Sequence, residues 1–167
     1  MEADNSSQTN YSIDLLTSIL IDYVVINKAV LDVTTKKLSL FFLKQENITQ
    51  QKWQEKKELI QKKYRIFNKL EGYNDTELEV AKKSHDQVTT IKASNKLVNI
   101  KSAQINFIVA MMKNTFTNEW VEEKTNINKY DFNATSELLK QAKKESESSY
   151  LAYKEGNKIF VFNLTKK

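Results

Sequence analysis

Residues 13–43 read IDLLTSILIDYVVINKAVLDVTTKKLSLFFL, and how far a helix runs through them decides the fold. Leu15, Leu16, Ile19, Leu20, Tyr23, Ile26 and Val30 step by three and four, while Asp14, Ser18 and Asp22 form a polar row at steps of four. That spacing predicts one amphipathic helix over Ile13–Val33, capped by the Ser12 hydroxyl, with Asp14 in the first turn where its charge suits the helix dipole. Asp14, Asp22, Asp32 and Lys28 interrupt a span that would need ~20 nearly uncharged residues to cross a membrane. Leu38–Leu43 extends the apolar run as more helix or as a short strand. The β-branched Val33, Thr34 and Thr35 before it argue for keeping the strand open as an option.

Downstream, Thr49 can cap a second helix. Trp53, Lys56, Ile60, Tyr64, Phe67 and Leu70 recur at helical spacing, and Gly72 follows where a C-terminal glycine belongs. Asn74-Asp75-Thr76 offers the next cap. Leu78, Ala81, His85, Val88, Lys92 and Asn95 trace a weak stripe, and Leu97, Val98, Ile105, Ile108, Val109, Met112 and Phe116 a strong one. Together they predict a third helix from about Glu77 to about Thr117, ~60 Å long at ~1.5 Å per residue and kinked near Ala93–Asn95. Asn118–Asp131 reads as a connection. A fourth helix, capped by Asn133 or Thr135, carries Leu138, Leu139, Ala142, Tyr150, Leu151 and Tyr153, and ends at Gly156-Asn157.

The 167 residues fit one domain. There is no proline, no cysteine and only two glycines, a poor supply of turn residues that argues against many-stranded sandwiches, barrels and glycine-dependent nucleotide folds. The expected fold is therefore all-α: an elongated bundle of about four helices, with a short β element as an option at the C-terminus. Residues 1–11 are expected to be a disordered polar segment and 12–167 a single helical domain.

The same composition excludes several chemistries. Without cysteine there are no disulfides, zinc-thiolate sites or thiol nucleophiles. His85 is the only histidine, set among charges in Lys82-Lys83-Ser84-His85-Asp86, and neither HExxH nor a P-loop is present. Asp14, Asp22 and Asp32, and the cluster Glu119, Glu122 and Glu123 near Trp120, read as solvated faces rather than acid–base pairs. No catalytic residue, metal or cofactor is expected. Met111-Met112 reads as core.

Two stretches carry binding potential. Residues 46–71 hold 7 basic against 4 acidic residues, within a chain of net charge +5. There Lys52, Lys56, Lys63, Arg65 and Lys69 are candidate anion-binding residues for nucleic acid or an anionic surface, although Glu55 and Glu58 intervene and lysine lacks arginine's fork. The tail KIFVFNLTKK (158–167) packs Ile159, Phe160, Val161, Phe162 and Leu164 into six residues. As a strand it would set Phe160, Phe162 and Leu164 on one side and Ile159 and Val161 on the other. It would need a second strand, from Leu38–Leu43 or from another molecule. It reads equally as an irregular segment across the bundle. The function expected is a non-catalytic helical interaction or assembly module binding another protein or itself through this tail, with a nucleic-acid or anionic-surface binder as the alternative. The polar Met1–Asn10 resembles the tether that follows the lipidated cysteine of bacterial lipoproteins, which tilts the expected location towards extracytoplasmic, with cytoplasmic as the alternative.

Overall fold

A computed structural model describes residues 10–74, 76–116, 120–122, 134–145 and 147–165. The chain is not all-α and not a helical bundle. Helix α1 (Tyr11–Asp22) leads into the hairpin β1 (Ile26–Asp32) and β2 (Lys37–Lys44), followed by α2 (Gln50–Glu71). A second hairpin, β3 (Glu79–His85) and β4 (Val88–Lys96), precedes a 3₁₀ turn at Leu97–Asn99 and α3 (Ser102–Thr115). Helix α4 (Ala134–Glu145) and a third hairpin, β5 (Tyr150–Glu155) and β6 (Lys158–Asn163), complete it. The strands form one antiparallel sheet in the order β3-β4-β2-β1-β5-β6.

The first helix stops eleven residues short of the expected Val33, and its end shows why. Asn10, not Ser12, caps the start by accepting from the Ile13 amide at 3.1 Å. At the other end Tyr23-Val24-Val25-Ile26 is aromatic and β-branched, a sequence that suits a pleated surface better than a helix. The buried Lys154 of β5 then donates to the carbonyls of Leu20, Tyr23 and Val24 at 3.0, 3.1 and 3.2 Å, taking acceptors that a longer helix would use. Ser18 and Asp22 of the polar row are not a solvated face but a seam with α4. Ser18 Oγ lies 2.6 Å from the Thr135 hydroxyl, which donates to Asp22 at 2.8 Å, and burial pushes the Asp14 carboxyl above its ordinary range.

The expected 41-residue third helix is replaced by the β3–β4 hairpin, a 3₁₀ turn and the shorter α3. Alternate residues Thr89, Ile91, Ala93 and Asn95 face inward, and Asp86 supplies at φ 54° the turn conformation for which glycine is the usual choice. In the β1–β2 loop Lys36 does the same at φ 59°, while Asp32 accepts from the Thr34 and Thr35 amides at 2.9 and 3.4 Å. Slight burial opposes the charge on Asp32, but those bonds and the hydroxyls of Thr35 and Ser149 outweigh it and hold its carboxyl below the ordinary range. Tyr150, Leu151 and Tyr153, assigned by spacing to the fourth helix, lie in β5, and Gly156-Asn157 is the β5–β6 turn. The second helix stands as read: Thr49 Oγ1 accepts from the Lys52 amide at 3.3 Å, and Gly72 closes it at φ 73°.

The inward face of the sheet, with Ala29, Leu31, Leu38, Leu40, Phe42, Ile91, Ala93 and Ala152, forms one core with Leu15, Leu16, Ile19, Trp53, Ile60, Tyr64, Ile105, Ile108, Met111, Met112 and Phe116 of the helices. Several polar groups inside it are bonded: Asn95 donates to the Tyr64 hydroxyl at 3.2 Å and to Thr76 at 3.0 Å, and Gln104 donates to Asn68 at 3.1 Å. Among the described residues no helix is long and apolar enough to cross a membrane. The tether-like residues 1–9 lie outside the described ones.

Lys154 ties β5 to the end of α1, so its removal should be felt throughout the domain. Lys154→Ala is expected to cost ~2–4 kcal/mol in urea unfolding, because three carbonyls lose a charged donor in a buried site. A loss under ~1 kcal/mol would show that water can reach and satisfy them.

Candidate functional site

The helices cover one face of the sheet; the other carries an aromatic patch. Cross-strand register places Lys92, Phe41, Lys28, Tyr153 and Phe160 in one outward row and Ser94, Ser39, Val30, Leu151 and Phe162 in the next. The Lys28 ammonium lies 4.1 Å from the Phe41 ring centre. Tyr153 stacks on Phe160 and Phe162 at 5.3 and 6.0 Å. Phe160 and Phe162 are nevertheless 37% and 50% exposed, and Leu164 just beyond them is 52% exposed. The patch runs up to the edge of the sheet.

The two edges differ. On β3, outward Glu79, Lys83 and His85 alternate with inward Val80, Lys82 and Ser84, and Lys82 donates to the Ile48 carbonyl at 3.1 Å. Charges along an edge, one of them pointing inward, discourage another strand from pairing there. On β6 the residues between Lys158 and Asn163 are Ile-Phe-Val-Phe, without charge. The Gly156-Asn157 loop joins the paired Glu155 and Lys158, and a two-residue hairpin makes its closing pair hydrogen-bonded. Lys158, Phe160 and Phe162 therefore bond to β5, an alternation continued by Leu164, whose amide donates to the Ser149 carbonyl at 2.7 Å. Ile159, Val161 and Asn163 turn their backbone groups to the free edge, and no strand among the described residues pairs with them.

Thus the tail is a strand over Lys158–Asn163, with Phe160 and Phe162 outward and Ile159 and Val161 half-buried against the core, while Leu164, expected beside the two rings, lies just beyond the strand. Its pairing within the chain corrects the expectation. The neighbour is β5, not Leu38–Leu43, whose own sides are taken by β1 and β4. The rest of the patch escaped sequence reading, although the alternation of Phe41 and Leu43 with Phe42 was a usable sign.

The lysine candidates do not converge. Lys52 is bound to Glu46 at 2.6 Å, Lys56 and Lys63 lie on the α2 flank towards α3, and Arg65 and Lys69 are exposed on another face. His85 sits exposed at the β3–β4 turn, 3.4 Å from Asp86. Asp32 belongs to the β1–β2 turn, not to the helix of Asp14 and Asp22. Glu122 is 3.8 Å from Lys113, while Glu119 and Glu123 lie outside the described residues. Among the described residues no group of three or more His, Asp or Glu is placed to hold a metal ion. Met111 and Met112 are buried in the core.

Compared with family models, curated proteins and solved structures, the chain shows no significant match.

The outward rings contribute little to holding the fold. Phe162→Ser should lower stability by under ~1 kcal/mol in chemical denaturation, whereas Phe42→Ala, at the centre of the covered face, should cost ~3–5 kcal/mol. Equal costs would mean that the patch is covered in the free protein.

Proposed function

We propose that the protein is a non-catalytic interaction and assembly module whose docking element is β6, and that the element pairs with β6 of a second copy. The observation that carries this is the contrast between the two sheet edges: β3 is charged, whereas β6 presents an uncharged backbone edge that no strand among the described residues pairs, beside two exposed phenylalanines. A strand in that state is a template for strand addition.

The sequence of β6 is also self-complementary. Its outward-turned backbone groups belong to Ile159, Val161 and Asn163, so a two-fold antiparallel pairing centres on Val161. Phe160 then lies opposite Phe162 of the second copy, and Ile159 opposite Asn163. Four phenylalanines and two Tyr153 rings would join into one aromatic stripe across the junction, and no charge faces a like charge. Cross-strand aromatic pairs of this kind stabilise a sheet by ~0.2–1 kcal/mol each. One strand pair is a small contact beside stable complexes, which bury ~1,200–2,000 Å². The association is accordingly weak and concentration-dependent.

Sedimentation velocity over a micromolar concentration series tests the reading. The wild type should shift reversibly from monomer to dimer. Val161→Pro removes the N–H at the centre of the pairing without touching a bond to β5, and should stay monomeric. Phe160→Lys with Phe162→Lys, which alters only outward side chains, should do the same with unchanged circular dichroism. A wild type that is monomeric throughout, or variants that dimerise as well as it does, would overturn the proposal.

A further inference from the structure

On the opposite side of the molecule from the open sheet face, α2 presents a second surface of different chemistry. Its buried residues are Trp53, Ile60, Tyr64 and Asn68. Leu59, Ile66 and Leu70, spaced by seven and four, fall on one outward stripe and are 38%, 47% and 80% exposed. Leu70 is a leucine with most of its surface in water at the last turn of a 22-residue helix. Beside the stripe, between α2 and α3, runs a shallow apolar groove of about 280 Å³ lined by Lys63, Ile66, Phe67, Leu70 and Phe107. Its floor is the stacked pair Phe67 and Phe107, 4.1 Å apart and nearly parallel.

The surroundings are basic. Helix α2 carries seven basic residues against three acidic ones. At 100° per residue, Lys56 and Lys63 flank the apolar stripe on the groove side, and Lys62 and Lys69 lie towards its other side. Glu55 and Glu58 border only the beginning of the stripe, around Leu59, on the side of Lys62 and Lys69. At the far end of the groove Lys101 lies over the Tyr73 ring at 4.9 Å, and Tyr73 packs edge-on to Phe67. A projecting apolar ridge is thus framed by ammonium groups on long flexible stems.

We infer that the outward face of α2 docks on an anionic lipid bilayer, with Leu59, Ile66 and Leu70 entering the interface and the flanking lysines meeting the headgroups. Charge complementarity selects this occupant. A helix with an apolar face rimmed by lysine lies in the plane of a membrane surface, held by apolar burial and by attraction to acidic headgroups. The lysine stems can lie along the apolar surface while their charges reach the headgroup level. A nucleic-acid surface would place cations, not three bare aliphatic side chains, at the centre of the contact. The β6 edge is not used, so this inference stands apart from self-pairing.

Vesicle co-sedimentation tests it, with phosphatidylcholine vesicles and with vesicles containing phosphatidylserine. The protein should bind the anionic vesicles and not the neutral ones, with affinity falling as salt rises. Ile66→Glu with Leu70→Glu, both exposed and expected to leave unfolding unchanged, should weaken binding at least tenfold. Lys56→Glu with Lys63→Glu should do likewise, and Phe160→Lys should leave binding to anionic vesicles intact. Failure to bind anionic vesicles would overturn the inference. So would vesicle binding insensitive to Ile66 and Leu70, or binding to an oligonucleotide that depends on the lysines but not on Leu70.

Discussion

Each strand of a sheet has two rows of backbone groups to satisfy, and a sheet that does not close on itself leaves one row open at each end. In this protein the six strands run from β3 to β6 without closure, so two rows must meet water, a covering element or another chain. At β3 the lysines solve the problem. At β6 no described residue does, because the stretch between Lys158 and Asn163 is Ile-Phe-Val-Phe. The sheet also has a partly open face: the described helices lie on one side, and the core they make with Phe42, Leu40 and Ile91 leaves most outward side chains of the other side half-buried and Phe160 and Phe162 exposed.

Helix placement explains why the aromatic patch sits where it does. Lys154 fixes β5 to the end of α1, which holds the β5–β6 hairpin against the rest of the sheet at its inward side. Ile159 and Val161 complete the attachment by packing on the core, so Phe160 and Phe162 must point outward. The exposure of the two rings is therefore a consequence of the strand period, not of a loose terminus. On the far side, α2 uses Trp53, Ile60 and Tyr64 to meet the core and has Leu59, Ile66 and Leu70 left over. Both candidate surfaces are apolar residues in excess of what the fold needs.

What could be read from the sequence depended on whether the local signals shared one period. Helix α2 was legible because Thr49, the apolar stripe and Gly72 agree. The tail was legible because alternation and β-branching coincide over Lys158–Asn163. The β3–β4 hairpin was not, since steps of four belong to both periods: Ala81 and His85, or Val88 and Lys92, share a face in a strand as well as in a helix. The residues that reveal β4, Thr89 and Asn95 among them, are polar, and their burial is supported by hydrogen bonds to the Glu46 carbonyl and to Tyr64 and Thr76, which no hydropathy pattern records. The scarcity of glycine misled for a related reason, because Asp86 and Lys36 take the positive-φ turn positions and Asp32 accepts from its own loop. Of the candidate sites, the five apolar tail residues were visible early. Tyr153, Lys28 and Phe41 became neighbours of the tail only through pairings that span most of the chain.

In the proposed assembly the outer row of β6 backbone groups is free in the monomer and filled by a second copy. Residue-resolved amide hydrogen exchange at two protein concentrations tests this arrangement directly. In dilute solution the amides of Phe160 and Phe162, bonded to β5, should be protected while those of Ile159, Val161 and Asn163 exchange rapidly; in concentrated solution the second set should become protected as well. Uniform protection along β6 in dilute solution, or an alternation that concentration does not change, would contradict it.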